Sequence, residues 1–274
     1  MRIARSVASL GLVDIGDHVC WVVPAQDDFH GTARGYLSDG TQLGDKIMVV
    51  GPSSAGWPEL LAPQSLLVDP AAGGAGPGGV GWDVDALAAL VRREAETADR
   101  QGFRALRVLA HMDRIWPAGI TAEQVADQEL RLDAVIGGTA AMVVCAYPTP
   151  NFSPSALEQA ASVHPHFTGH VERAPSFHLF HDSADCWSVT GVVDAEGADA
   201  FGTALAQLLR TTPTLRLRCE GLQLMDAAGL QTLAWAAAAL PGRKVLLIGA
   251  NPVVRKCWDL LGFDDPGVPA ELVP

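Results

Sequence analysis

Apolar residues fall along this chain in two kinds of run, short unbroken stretches and longer segments where they recur every three or four positions. Up to about residue 167 the two kinds alternate. "DHVCWVV" (17–23), "DKIMVVG" (45–51), "RALRVLAHMD" (104–113) and "AAMVVCAYP" (140–148) read as strands apolar on both faces. Between them, 25–44, 83–102, 121–136 and 153–165 carry helical periodicity. Asp83 and Thr121 stand as N-caps, Pro154 lies just inside its helix, and Gly102 stops another. Strands that are apolar throughout, separated by helices, predict a mostly parallel sheet covered on both faces. The stretch 71–81, "AAGGAGPGGVG", is too rich in glycine for either period and is expected to be a loop.

The segment 168–176 is polar, contains Gly and Pro and fits neither period. It is expected to be a linker, with one domain over 1–167 and a second over 177–274. The second half opens with an expected hairpin in 177–194, turning near Asp182–Asp185, followed by a helix over 195–210. A strand over 214–222, a helix over 226–240, a strand over 243–250 and a helix over 251–262 complete it. Asn251, Pro252 and Gly262 punctuate that last helix as cap, first turn and stop. The expectation is a smaller α/β domain.

The C-terminal half resembles the STAS domain of anti-sigma-factor antagonists. The resemblance rests on "GVVD" (191–194), "LMDAAGLQTL" (224–233) and "LLIGANPVVRKCWDLLGFDD" (246–265). It implies a partner-binding face at Asp226, Ala227, Ala228 and Gly229, and a protein partner such as an anti-sigma factor or its kinase. It also implies that the residue after Asp226 is a phosphorylatable Ser or Thr in partner-switching relatives; here it is Ala227, which cannot take that modification. Asp226 retains the ordinary option of capping the helix start. Val192 departs from the usual acidic residue of "GVVD". The N-terminal half resembles the MEDS sensory domain, a RecA-like α/β unit, through "DHVCWVV", "GYLSDGTQLGDKIMVVG" (35–51), "QELRLDAVI" (128–136) and "VVCAYPTPNFSPSALEQAASVHP" (143–165). That likeness implies sensing of a small molecule or other signal ahead of a regulatory output, without specifying a ligand or cofactor.

Composition narrows the chemistry. A net charge of −12 with 19 Lys and Arg, and no basic patch, speaks against a nucleic-acid partner. No run of 18 apolar residues is free of charge or Pro, so no membrane span is expected, and the N-terminus does not read as a secretory signal. Five dispersed cysteines without C-x-x-C spacing suggest free thiols in a cytoplasm. ATP hydrolysis is not expected, because "VVPAQDD" lacks glycine and "GPSSAGWP" (51–58) has Trp57-Pro58 where a phosphate loop needs Lys-Ser/Thr.

The remaining candidates are His18, Cys20, His111, Cys145 and Tyr147. His18 and Cys20 share one side of a strand, Cys145 and Tyr147 one side of another, and His111 ends a third, where open sheets put their crevices. Together they could form a small-ligand pocket, a redox-sensitive thiol pair or a soft metal site. The bland alternative is a buried Cys serving as a small hydrophobe and a His satisfying backbone groups. The metal version is weakest, since no two of these residues share a recognised ligand spacing. "HPHF" (164–167) with His170 reads as a solvated helix exit, and Trp21, Trp57, Trp82 and Trp116 could line an apolar pocket. The expectation is a cytoplasmic, non-enzymatic regulator; the rival is an enzyme or redox switch using Cys20 or Cys145, which requires a thiol of depressed pKa.

Overall fold

A computed structural model describes residues 4–52, 64–70, 83–116, 118–183 and 185–273. Among them, the apolar runs of the first half form β2 (His18–Val23), β3 (Lys46–Val50), β5 (Leu106–His111) and β6 (Ala141–Pro148), all buried over nearly their whole length. Three short strands join them: β1 (Arg5–Ser6), β4 (Leu66–Val68) and β7 (His166–Gly169). The seven make one parallel sheet in the order β1-β7-β2-β6-β5-β3-β4. The helices are α1 (Phe29–Leu43), α2 (Val84–Arg100), the single-turn α3 (Met112–Ile115), α4 (Ala122–Ile136) and α5 (Pro154–Ser162). Asp83 caps α2 by accepting from the Ala86 amide, and Thr121 with Gln124 forms a capping box on α4.

Period-2 alternation divides the sheet into two faces. Val19, Trp21, Val49, Leu109 and Val144 pack with Ala33, Tyr36 and Leu37 of α1. Cys20, Val22, Val108, Cys145 and Tyr147 face the opposite side, packing with α2, α4 and α5. On the α1 side, Asp45 accepts bonds from Arg104 (2.7 and 3.0 Å) and from the buried Arg107 (2.8 Å).

The second half comprises β8 (Phe177–Ser183), β9 (Cys186–Val193), α6 (Ala198–Thr211), β10 (Thr214–Arg218), β11 (Leu222–Met225), α7 (Ala227–Ala238), β12 (Lys244–Ile248), α8 (Pro252–Leu261) and β13 (Ala270–Val273). β8 and β9 are an antiparallel hairpin; the other pairings, in the order β11-β9-β10-β12-β13, are parallel.

Two expectations need correction. The expected linker starts inside a strand: Thr168 and Gly169 belong to β7, aligned with Trp21 and Val22. Four residues are too few to show periodicity, and their partners are non-local. The single strand expected over 214–222 is two, β10 and β11, both pairing with β9. Its alternation of apolar and charged residues ends at Cys219-Glu220-Gly221, where the chain turns, and a side chain at Gly221 would strike Thr190. The glycine-rich stretch 71–81 lies outside the described residues.

The two halves share a core. Ala126 and Leu130 of α4, with Val163 just after α5, pack in one apolar cluster with Phe177, Phe201, Leu205 and other residues of the second half. α4 and α5 are thus covered by the first sheet on one side and by α6 and β8 on the other.

Candidate functional site

Parity along β2 and β6 decides what meets beneath the first sheet. Cys20 and Cys145 are register partners, and His18 and Tyr147 lie two residues away on the same side. All four are fully buried. His111 is not with them. It aligns with Ala146, one position out of phase with Cys145, and therefore faces the α1 side, its ring 4.5 Å edge-on from Phe29. One residue of register moves a side chain across the sheet.

The structure adds three residues to the four. Glu129 and Asp133 project from α4, and His164 follows α5; all are fully buried. His18 Nδ1 lies 3.1 Å from Asp133 Oδ1, and His18 Nε2 lies 3.3 Å from both Cys145 Sγ and Glu129 Oε2. Tyr147 donates to the other Glu129 oxygen, and His164 Nε2 is 3.4 Å from Glu129 Oε2. The His18 and His164 rings stand 3.9 Å apart. Asp133 also reaches the second domain, its Oδ2 accepting from the His181 amide at 2.7 Å, while the His164 carbonyl lies 2.8 Å from His178 Nδ1.

"HPHF" is therefore not a solvated helix exit. His164 is inaccessible to solvent, and His166, 3% exposed within β7, sits 2.9 Å from Asp17. Glu129 and Asp133 carry a signal in the sequence. They are one turn apart on α4, inside the stripe Val125, Leu132 and Ile136 that packs under the sheet, where an acid must find partners.

The electrostatics follow from burial and pairing. Burial alone would lower the pKa of His18, but the hydrogen bonds and charges of Asp133 and Glu129 outweigh it and raise it. Burial, joined by repulsion from His18, depresses His164 to about 3. Burial pushes the Cys20 and Cys145 thiols well above their ordinary range, and the Glu129 charge adds to it. A fast-reacting thiolate needs the opposite environment. Burial and the neighbouring carboxylate therefore disfavour a free thiolate at either cysteine.

A separate open cleft of about 490 Å³ lies beyond the C-terminal ends of β5 and β6, lined by Asp113, Trp116, Asn151 and Phe152. This is where open α/β sheets place ligands. Phe152 packs edge-on against Tyr147 at 5.0 Å, connecting the cleft to the buried cluster. Trp21 instead stacks on Phe29 at 5.0 Å on the α1 side. Trp57 and Trp82 lie outside the described residues.

In the second half, Asp226 caps α7, its Oδ1 accepting from the Gly229 amide at 3.0 Å. Ala227 is exposed, Ala228 half-buried and Gly229 buried. Gly229 is a packing residue: a Cβ there would come within 2.8 Å of the Val193 side chain and carbonyl. Further along the exposed face of α7, Trp235 is 67% exposed.

Residues 17–165 match the family described as MEthanogen/methylotroph, DcmR Sensory domain (MEDS), and residues 180–274 the family described as Mlab, STAS domain. No curated protein matches the chain. Among solved structures, an anti-sigma factor antagonist from Mycobacterium paratuberculosis aligns at 22% identity over 35% of this chain and 86% of its own, with a TM-score of 0.31. The anti-sigma factor antagonist SpoIIAA in its unphosphorylated form aligns at 14% identity over 36% of this chain and 87% of its own, with a TM-score of 0.28. With the first match spanning more than half of its 274 residues, the chain belongs to the MEDS family, and a STAS domain follows.

Proposed function

We propose that the chain is a non-enzymatic cytoplasmic signalling regulator, in which the MEDS domain senses a signal and modulates docking of a protein partner by the STAS domain. The observation that carries this reading is α7. Its sequence, "AAGLQTLAWAAA", is apolar almost all round, as in helices enclosed on every side, yet one face lies open with Trp235 67% exposed. Trp is favoured among the residues that dominate binding energy at protein interfaces. Asp226 and Gly229 shape this face indirectly, by capping the helix and seating it on Val193. Ala227, exposed at the first turn, leaves the helix start open and offers no hydroxyl for phosphorylation. α4 and α5, shared between the two domains, provide the route by which the first influences the second.

The STAS resemblance points to a kinase-like anti-sigma factor as the partner. The test uses the full-length chain as bait, identifies captured proteins by mass spectrometry and titrates the captured partner against variants. Trp235→Ala is expected to weaken binding about tenfold or more, the loss of a central aromatic contact. Ala227→Glu is expected to abolish docking while leaving the fold intact, since a negative charge in the first turn suits the helix dipole. Undiminished affinity in both variants, or no such partner captured, would overturn the reading.

A further inference from the structure

The cluster beneath the first sheet contains an arrangement that hydrogen bonding does not account for. His164 Nδ1 lies 2.7 Å from the Ala160 carbonyl, which can only accept, so that nitrogen carries the proton. Nε2 then presents a lone pair into a sealed core, 3.4 Å from Glu129 Oε2 and without a hydrogen-bond partner. Two acceptors facing each other in the interior is costly unless a cation lies between them. His18 is oriented in the same way. Asp133 takes its Nδ1 side and leaves Nε2 facing Glu129 and Cys145. An imidazole whose far nitrogen is fixed by a carboxylate or carbonyl is the arrangement that orients a metal ligand.

The spacing agrees. One donor atom each from His18, Glu129, Cys145 and His164 lies within 4.8 Å of all the others, and all four residues are fully buried. For tetrahedral zinc with bonds of about 2.0–2.3 Å, adjacent donors stand about 3.3–3.6 Å apart. Three of the six separations fall in that range, 3.3 Å (His18 Nε2 to Cys145 Sγ), 3.3 Å (His18 Nε2 to Glu129 Oε2) and 3.4 Å (His164 Nε2 to Glu129 Oε2). Cys145 Sγ to Glu129 Oε2 is longer at 3.9 Å, and the remaining two lie within 4.8 Å, so the donors close in by a few tenths of an ångström to an ångström on binding. Two imidazoles, a thiolate and a carboxylate suit zinc, and the two anionic donors neutralise a divalent ion in the core. The donors come from β2, α4, β6 and the residue pair after α5, so no sequence motif announces them.

We propose that His18, Glu129, Cys145 and His164 form a closed four-coordinate zinc site in the MEDS domain. Cys20 and Tyr147 border it, and Asp133 positions His18 with one oxygen while its other holds the His181 amide of the STAS domain. Binding exchanges the Cys145 thiol proton for the metal–sulfur bond, the proton passing to solvent. The site stands on the geometry of these residues and does not depend on the identity of the docking partner.

The test strips the full-length chain with chelator under reducing conditions, then loads it with Zn2+ or Co2+. One Zn2+ per chain retained after desalting is expected, and Co2+ is expected to give an intense tetrahedral visible spectrum with a thiolate-to-cobalt charge-transfer band. Cys145→Ser should lose that band, His164→Gln should weaken metal affinity at least about tenfold, and Cys20→Ser should keep both band and affinity. A folded wild-type chain, by circular dichroism, that takes up no Zn2+ would overturn the proposal. So would Co2+ binding without a thiolate band, or a band that survives Cys145→Ser. Should Cys145→Ser not fold, the wild-type cobalt spectrum and the His164→Gln affinity decide.

Discussion

His111 shows how one position of register separates chemistry along a strand. It faces α1, where burial lowers its pKa to about 4; Asp113, 3.9 Å away, opposes that shift, and Arg114 and His30 add to it. Because the folded value lies below the ordinary 6.5, the neutral imidazole contributes stability that is fully present above about pH 6.5. That stability is lost as pH falls toward 4. The full effect is about 3 kcal/mol, of which about 2 kcal/mol should be gone by pH 5. Urea unfolding at pH 7 and pH 5 checks this: His111→Gln, which does not titrate, should lose less stability between the two than the parent. Equal losses would mean the ring is hydrated in the fold. At this scale the sequence was legible in its caps, with Asp83, Thr121, Asp226 and Asn251 all accepting from the first-turn amides of their helices. Capping is a local bond between residues two or three apart, so no tertiary knowledge is needed to anticipate it.

At the scale of elements, α1, β3 and β5 are joined through one buried carboxylate. Asp45 is held by Arg104 and Arg107, and Arg107 also donates to the Tyr36 carbonyl at 3.2 Å and lies over the Tyr36 ring at 4.7 Å. Gly40 of α1 allows this approach, since a Cβ there would meet Arg107 Cδ at 2.4 Å. Removing Asp45 leaves the guanidinium of Arg107, a residue only 2% exposed, without its counter-charge. Asp45→Ala is therefore expected to cost about 3–5 kcal/mol, read as a lowered urea midpoint with unchanged slope. A cost below about 1 kcal/mol would show that water reaches the site. The helices and long strands were legible because their periods repeat many times. β1, β4, β7 and β13 were not, being two to four residues long and defined only by the strand beside them.

At the scale of the molecule, the two domains meet in one apolar cluster, flanked by the Asp133–His181 and His164–His178 bonds. Leu130 on α4 is 2% exposed and belongs to the cluster that includes Phe177, Phe201 and Leu205. Shared cores unfold together, so scanning calorimetry of the full chain is expected to show one transition with equal calorimetric and van't Hoff enthalpies. Leu130→Ala should lower that single transition by the equivalent of about 2–5 kcal/mol. Two separate peaks, only one of which moves, would show that the domains are energetically independent. The same packing implies that cutting the chain near residue 177 would expose apolar surface now covered by α4 and α5.

The sequence by itself determined the alternation of buried strands and helices, the helix ends, and the parity that joins His18 to Cys20 and Cys145 to Tyr147. These depend on residues near one another in the chain, or on composition. Tertiary structure alone decided that those two pairs meet, that His111 is excluded and that Glu129, Asp133 and His164 complete the cluster. That depends on strand order and on where α4 and the end of α5 cross beneath the sheet, contacts that bring His18 to Cys145, 127 residues along the chain, and to the still more distant His164. Period and spacing carry no information over that distance; only the packing of the elements does.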